Sequence, residues 1–201
     1  MSRLDYQRTI VGYHGCDKGV AESVLLGRCK LETSQNKYDW LGSGIYFWEY
    51  GPQRAMQRAV EISGRRPQKI KEPAVLGGLI HLGFCFDLLD VRFTDYLREL
   101  FPLFKRAMED QGTPMPRNEG LPGKAKELVL RKLDCALLNW AIPVLETQIG
   151  QKFHTVRGVF QEGEPAYEGS SIMHKSHIQI VVRDTSVVLG YFKPESLSDA
   201  R

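Results

Sequence analysis

From Pro73 to Phe86 the chain carries no Asp, Glu, Lys or Arg. As a helix that run is too short to cross a bilayer, which takes about 20 apolar residues. Its β-forming residues and interspersed glycines continue to Leu89. They predict one long central strand over Ala74–Leu89, or a strand with a bulge. The fold is therefore organised around a sheet.

The flanking segments can be read against that strand. Residues 8–15 alternate, with Val11 and Tyr13 on one face and Ile10, Gly12 and His14 on the other. Asp17 can cap a short helix to about Leu26, stopped by Gly27. A second strand is expected at Ile45–Trp48, and Pro52 suits the first turn of a helix to Ser63, closed by Gly64. A helix from Thr94 or Asp95 should end before Gly112. An apolar helix should cover Lys124–Gln148, kinked or broken at Pro143. Strands near Thr155–Phe160, Ile178–Arg183 and Val187–Phe192 follow, with a Gly/Ser/Glu-rich loop over 161–175. At 201 residues this is one α+β domain with a mixed or antiparallel sheet and a helical insertion at about 94–150.

Composition narrows the class. Apolar residues at 42% and charged residues at 25% belong to a folded chain, not a disordered one. The four cysteines lack CxxC or Cys/His metal spacing, so neither a disulfide framework nor a metal site is expected. The N-terminal segment has no apolar core of the signal-peptide kind, so the expected location is the cytoplasm, with no membrane partner. A net charge of +3 does not diagnose nucleic-acid binding, although Arg65, Arg66, Lys69 and Lys71 form a local basic cluster.

Strand parity picks out the candidate chemistry. In Gly44–Trp48, Tyr46 shares a face with Gly44 and Trp48, while Ile45 and Phe47 face the other way. In the penultimate strand His177, Gln179 and Val181 share one face, and Ile178, Ile180 and Val182 form an apolar one. A cleft lined by His14, Tyr46 and Gln179 is the expectation. Gly42-Ser43-Gly44 leads into a β-like run, which excludes a dinucleotide-binding GxGxxG before a helix.

Tyr13-His14-Gly15, then Gly42-Ser43-Gly44-Ile45-Tyr46-Phe47, then the late strand with Gln179 resemble the ADP-ribosyltransferase superfamily, in its diphtheria-toxin and poly(ADP-ribose) polymerase branch. The motifs cover about a tenth of the chain. The resemblance implies a split-sheet core and NAD⁺ as co-substrate, with no metal. It implies Gly15 backbone on the nicotinamide amide, His14 at the adenosine ribose, and Tyr46 against nicotinamide and its ribose. Gly44, Trp48 and Arg54 join the cofactor-binding set, Arg54 facing either the pyrophosphate or solvent.

The sequence departs from the family pattern in two places. Gln179 stands where the branch carries glutamate, so it can accept a ribose hydrogen bond but supplies no charge and no base. Either transfer is then slow, or a neighbouring carboxylate enters the site; among Glu162, Glu164 and Glu168 the favoured one is Glu162, which follows a β-like run. The helix after the second motif also lacks the family's serine and second tyrosine; Trp48 or Tyr50 can provide a stacking face instead. His177 is either a structural partner of Gln179 or a contact to the acceptor.

The expected activity is toxin-like mono-ADP-ribosyl transfer to a macromolecule, nucleic acid or protein, with a slight lean to nucleic acid. It belongs to the setting of toxin–antitoxin or phage-defence systems and implies an antitoxin protein as partner. NAD⁺ hydrolysis, or an inactive NAD⁺- or ADP-ribose-binding module, are the alternatives.

Overall fold

The computed structural model describes residues 5–120 and 128–195. Within them lie β1 (Asp5–Asp17), α1 (Lys18–Leu25), β2 (Ile45–Glu49), α2 (Pro52–Arg65), β3 (Pro73–Asp87) and α3 (Val91–Asp110). The short strands β4 (Asn118–Glu119) and β5 (Leu130–Arg131) come next. The chain continues through α4 (Lys132–Ile149), β6 (Thr155–Phe160), β7 (His177–Val182) and β8 (Val188–Phe192). The fold is mixed α+β.

The strand order is β1-β2-β7-β6-β3-β8, and β1 also pairs with β3. One half of the sheet is β1 lying along β3, in one register from Asp17↔Pro73 to Thr9↔His81 and, past an irregularity, shifted by one residue at Tyr6↔Gly83 and Asp5↔Phe84, with β8 also on β3. The other half is β7 between β2 and β6. Two narrow seams join the halves. β1 meets β2 at Gly12↔Glu49 and Tyr13↔Trp48, and β3 meets β6, in parallel, at Cys85↔Thr155 through Asp87↔Arg157.

Alternation along the strands assigns residues to two cores. Ile45 and Phe47 of β2, Ile180 and Val182 of β7, Ile10 of β1 and Leu76, Ile80 and Leu82 of β3 form the first. Val181, Val156 and Phe160 point the other way, into a second core completed by Phe93, Leu100, Leu138 and Ile142 of α3 and α4. The two helices of the insertion thus supply half of a core. They pack on each other through Phe104 and Trp140, whose ring centroids lie 5.6 Å apart.

Several boundaries differ from the sequence expectation, each for a local reason. α3 begins at Val91, not Thr94, because the Asp90 carboxylate caps it by accepting from Arg92 N–H at 3.0 Å. α4 begins at Lys132, and the earlier start at Lys124 falls partly outside the described residues. Pro143 does not break α4, which runs on to Ile149. Gly64 does not end α2, which continues to Arg65.

Gly15 meets its own demand. A Cβ there would lie 2.2 Å from the backbone oxygen of Ala55, so α2 packs directly on the β1 backbone. Gly15→Ala is expected to push α2 off the sheet at a cost of about 1–3 kcal/mol. In a melting experiment that is a fall of roughly 3–10 °C for a domain of this size.

Candidate functional site

β2 and β7 run side by side, with Trp48 opposite Gln179 and Tyr46 opposite Val181. Gln179 is therefore not at a sheet edge, as a polar strand residue would suggest, but in the middle, between Trp48 and Gly158. It is 8% exposed, and its side-chain carbonyl has no hydrogen-bond partner. An unsatisfied buried acceptor of this kind costs about 1–3 kcal/mol, so packing alone does not account for it.

More polar groups collect on the same face. Arg54, from the first turn of α2, is buried and lies over the Trp48 ring at 5.7 Å. Its Nη2 donates to Glu162 Oε2 at 2.6 Å, and its Nη1 is 3.9 Å from Glu61. Arg54 thus faces neither solvent nor empty space, which corrects the solvent-facing alternative. Trp48 Nε1, Arg54 Nε and Nη1, and His177 Nε2 are all buried without hydrogen-bond partners.

His177 sits among them. Its ring stacks on Trp40 at 6.0 Å and lies 6.4 Å from Trp48 and 5.9 Å from Phe160. Glu162 comes within 3.9 Å of its Nδ1. Arg131, at the start of α4, reaches in from the insertion and lies 4.3 Å over Trp40 and 4.9 Å over Phe160. Lys175 pairs with Glu61 at 3.2 Å, tying the segment before β7 to α2.

The structure thus brings together Trp48, Arg54, Glu162 and Gln179 of the expected site residues. His177, left open in the sequence, joins them by the parity visible there. Arg131 was missed, since nothing local marks a residue whose ring partners, Trp40 and Phe160, are 91 and 29 positions away. Glu164 and Glu168 are exposed, and no side-chain bond joins them to this group.

The remaining expected residues are placed otherwise. Tyr46 shares the sheet face of Trp48, but its hydroxyl donates to Gly42 O at 2.7 Å and accepts from Leu41 N–H at 2.9 Å. Burial, the larger effect, and Asp39 push this phenol well above its ordinary value, so it stays protonated. Gly44 is pressed on β7, where a Cβ would meet Val181 Cγ1 at 2.2 Å.

His14 lies where β1 parts from β2. Its Nδ1 donates to the Tyr46 carbonyl at 2.7 Å, and its ring packs on Phe47 at 5.7 Å, on the first-core side. Burial lowers its pKa most, the Tyr46 carbonyl opposes that, and Lys69 adds to the lowering. The expected cleft of three side chains is therefore corrected, because His14 and Tyr46 face opposite sides of the sheet. The register decides this by setting Tyr13, not His14, against Trp48.

A cavity of about 230 Å³ lies at the other end of β2, walled by Leu41, Ser43, Gly44, Asn139 and Arg183 among others. Gly44 alone of the expected site residues reaches it. Among the described residues, no group of three His, Cys, Asp or Glu side chains is placed to hold a metal ion, and no helix is long and apolar enough to cross a membrane. Burial pushes the Cys16 thiol up to about 11, which leaves it protonated and a packing group rather than a nucleophile. No family model, curated protein or solved structure matches this chain.

Proposed function

We propose that the chain is an NAD⁺-dependent mono-ADP-ribosyltransferase that passes ADP-ribose to a macromolecular acceptor. The observation that carries the reading is the buried, unpartnered Gln179 carbonyl in mid-sheet, on one face with Trp48 and beside the Arg54–Glu162 pair. A ribose hydroxyl satisfies that carbonyl. Trp48 offers an aromatic wall, and Glu162 brings the negative charge that Gln179 lacks, held in place by Arg54.

Breaking the nicotinamide–ribose bond develops positive charge on the sugar, and a fixed carboxylate nearby stabilises it. Gly15, just past the last β1–β2 pair, is assigned to orienting NAD⁺ through its backbone, and His14, turned to the other face, to holding the β2 backbone at the Tyr46 carbonyl. Arg65, Arg66, Lys69 and Lys71 are exposed and support the slight lean toward a nucleic-acid acceptor. A toxin-like role in the cytoplasm, restrained by an antitoxin protein, is the cellular form of this proposal.

The test is incubation with labelled NAD⁺ and separate pools of RNA, DNA and protein. Label should enter one pool, and the rate should fall about 10²-fold in Gln179→Ala and in Glu162→Gln. Nicotinamide release without any labelled pool would mean hydrolysis. NAD⁺ binding without turnover would mean a binding module, a second reading favoured by Glu162 being already ion-paired with Arg54.

A further inference from the structure

We propose that His177 is the general base of the transfer reaction, taking the acceptor's proton on Nε2 while Glu162 stays paired with Arg54. The assignment rests on the transferase reading above and adds to it the group that removes the proton.

The tautomer is set by geometry. His177 Nδ1 lies 2.6 Å from the Lys175 carbonyl oxygen, which can only accept, so Nδ1 carries the hydrogen. The neutral ring then presents a bare lone pair on Nε2, which is buried and has no donor. Most buried side-chain polar atoms find a hydrogen-bond partner; this ring satisfies one nitrogen and leaves the other free for a proton. Trp40, Trp48 and Phe160 enclose the ring, and Gln179 follows two residues along the same face of β7. Nε2 is enclosed in this state, so the acceptor reaches it by displacing side chains around it.

The charged groups facing His177 are Arg54 from α2, Arg131 at the start of α4, and Glu162 from the β6–β7 segment. Burial lowers the pKa from its ordinary 6.5 most strongly. The Lys175 carbonyl and Glu162 oppose this, while Arg54 and Arg131 add to it. The ring is therefore neutral at pH 7 and loses base function only as pH falls through that lowered value. Neither neighbour serves as well. Gln179 cannot take a proton, and Glu162 Oε2 is held at 2.6 Å by the Arg54 guanidinium.

In the step, an O–H or N–H group of the acceptor gives its proton to His177 Nε2. Its electron pair forms the bond to the anomeric carbon of the nicotinamide ribose. The bond from that carbon to the nicotinamide nitrogen breaks, and its pair leaves with neutral nicotinamide. The proton then passes to water.

The experiment measures initial rates of label transfer from NAD⁺ to an unfractionated cell extract, from about pH 5 to 9, for wild type, His177→Asn and His177→Ala. Asparagine keeps a donor for the Lys175 carbonyl, and melting curves establish that each variant folds. The expected result is an acid limb in the wild type below its ordinary histidine range. Both variants should lose about 10²-fold in kcat at unchanged NAD⁺ KM and should lack that limb. Added imidazole should restore part of the rate to His177→Ala. If wild type transfers label and His177→Asn stays within threefold of it or keeps the limb, the base assignment falls and the transferase reading stands. If wild type transfers no label to any pool, both fall.

Discussion

Replacing Arg157 by methionine is expected to cost about 3–5 kcal/mol. Its guanidinium bridges Glu49 at 2.7 Å and Asp87 at 3.0 Å, and all three side chains are at most 7% exposed. Glu49 has a second, exposed partner in Arg8 at 3.2 Å, but Asp87 has no other ion pair among the described residues. Removing the cation strands Asp87 in a low-dielectric interior and leaves Glu49 with the exposed Arg8 alone. For a domain of this size the melting temperature should drop by roughly 10 °C or more. Changing all three residues together, with Glu49→Gln and Asp87→Asn, should recover much of the loss, since it is an uncompensated charge that is costly. A single Met variant melting within 2 °C of the parent would show that the triad is not the clamp described.

This triad joins β2, β3 and β6, which come together at the seams between the two halves of the sheet. None of it was legible in the sequence. Glu49, Asp87 and Arg157 each end or interrupt an apolar strand, and charge at a strand end reads as solvated unless the partner strand is known. The strands themselves were legible, because period-two alternation names the buried face without knowledge of the partner. Thus Val181 and Ile180 were correctly put on opposite faces. What alternation cannot give is register across strands. The error over His14 came from there: one residue of offset between β1 and β2 sets Tyr13 against Trp48 and turns His14 to the other face. Sequence also cannot show what presses on a glycine: the space a Cβ would take at Gly15 is filled by α2, and at Gly44 by β7.

On the proposed transferase reading, Gln179→Glu should raise activity, with a gain of about 10²-fold in transfer rate. The carboxylate would stand opposite Trp48, where the amide carbonyl is now unpaired. There it would supply charge directly to the developing sugar cation. It would also lie about 7 Å from His177 along the same strand face. An anion there favours the protonated imidazole and raises its pKa. The acid limb of the rate profile should accordingly move to higher pH, the faster variant losing activity earlier on acidification. Rates across pH for the two proteins check both statements at once. An unchanged limb would separate His177 from the chemistry at Gln179, and an unchanged rate would mean that Glu162 already provides all the charge the reaction uses.

The position of β7 also bears on how the chain is made. It is the seventh of the eight named strands, yet it lies between β2 and β6 and carries both Gln179 and His177. Until residues 177–182 have been synthesised, β2 and β6 have no strand between them. Helices and the β1–β3 pairing can form early, from segments nearer in sequence, whereas the β2–β7 pairing spans more than 130 residues and closes late. Chains cut short before Gln179 would therefore carry the His14 and Tyr46 motifs but lack the strand that gathers Trp48, Gln179 and His177, and the proposed activity would arise only once the fold is nearly complete.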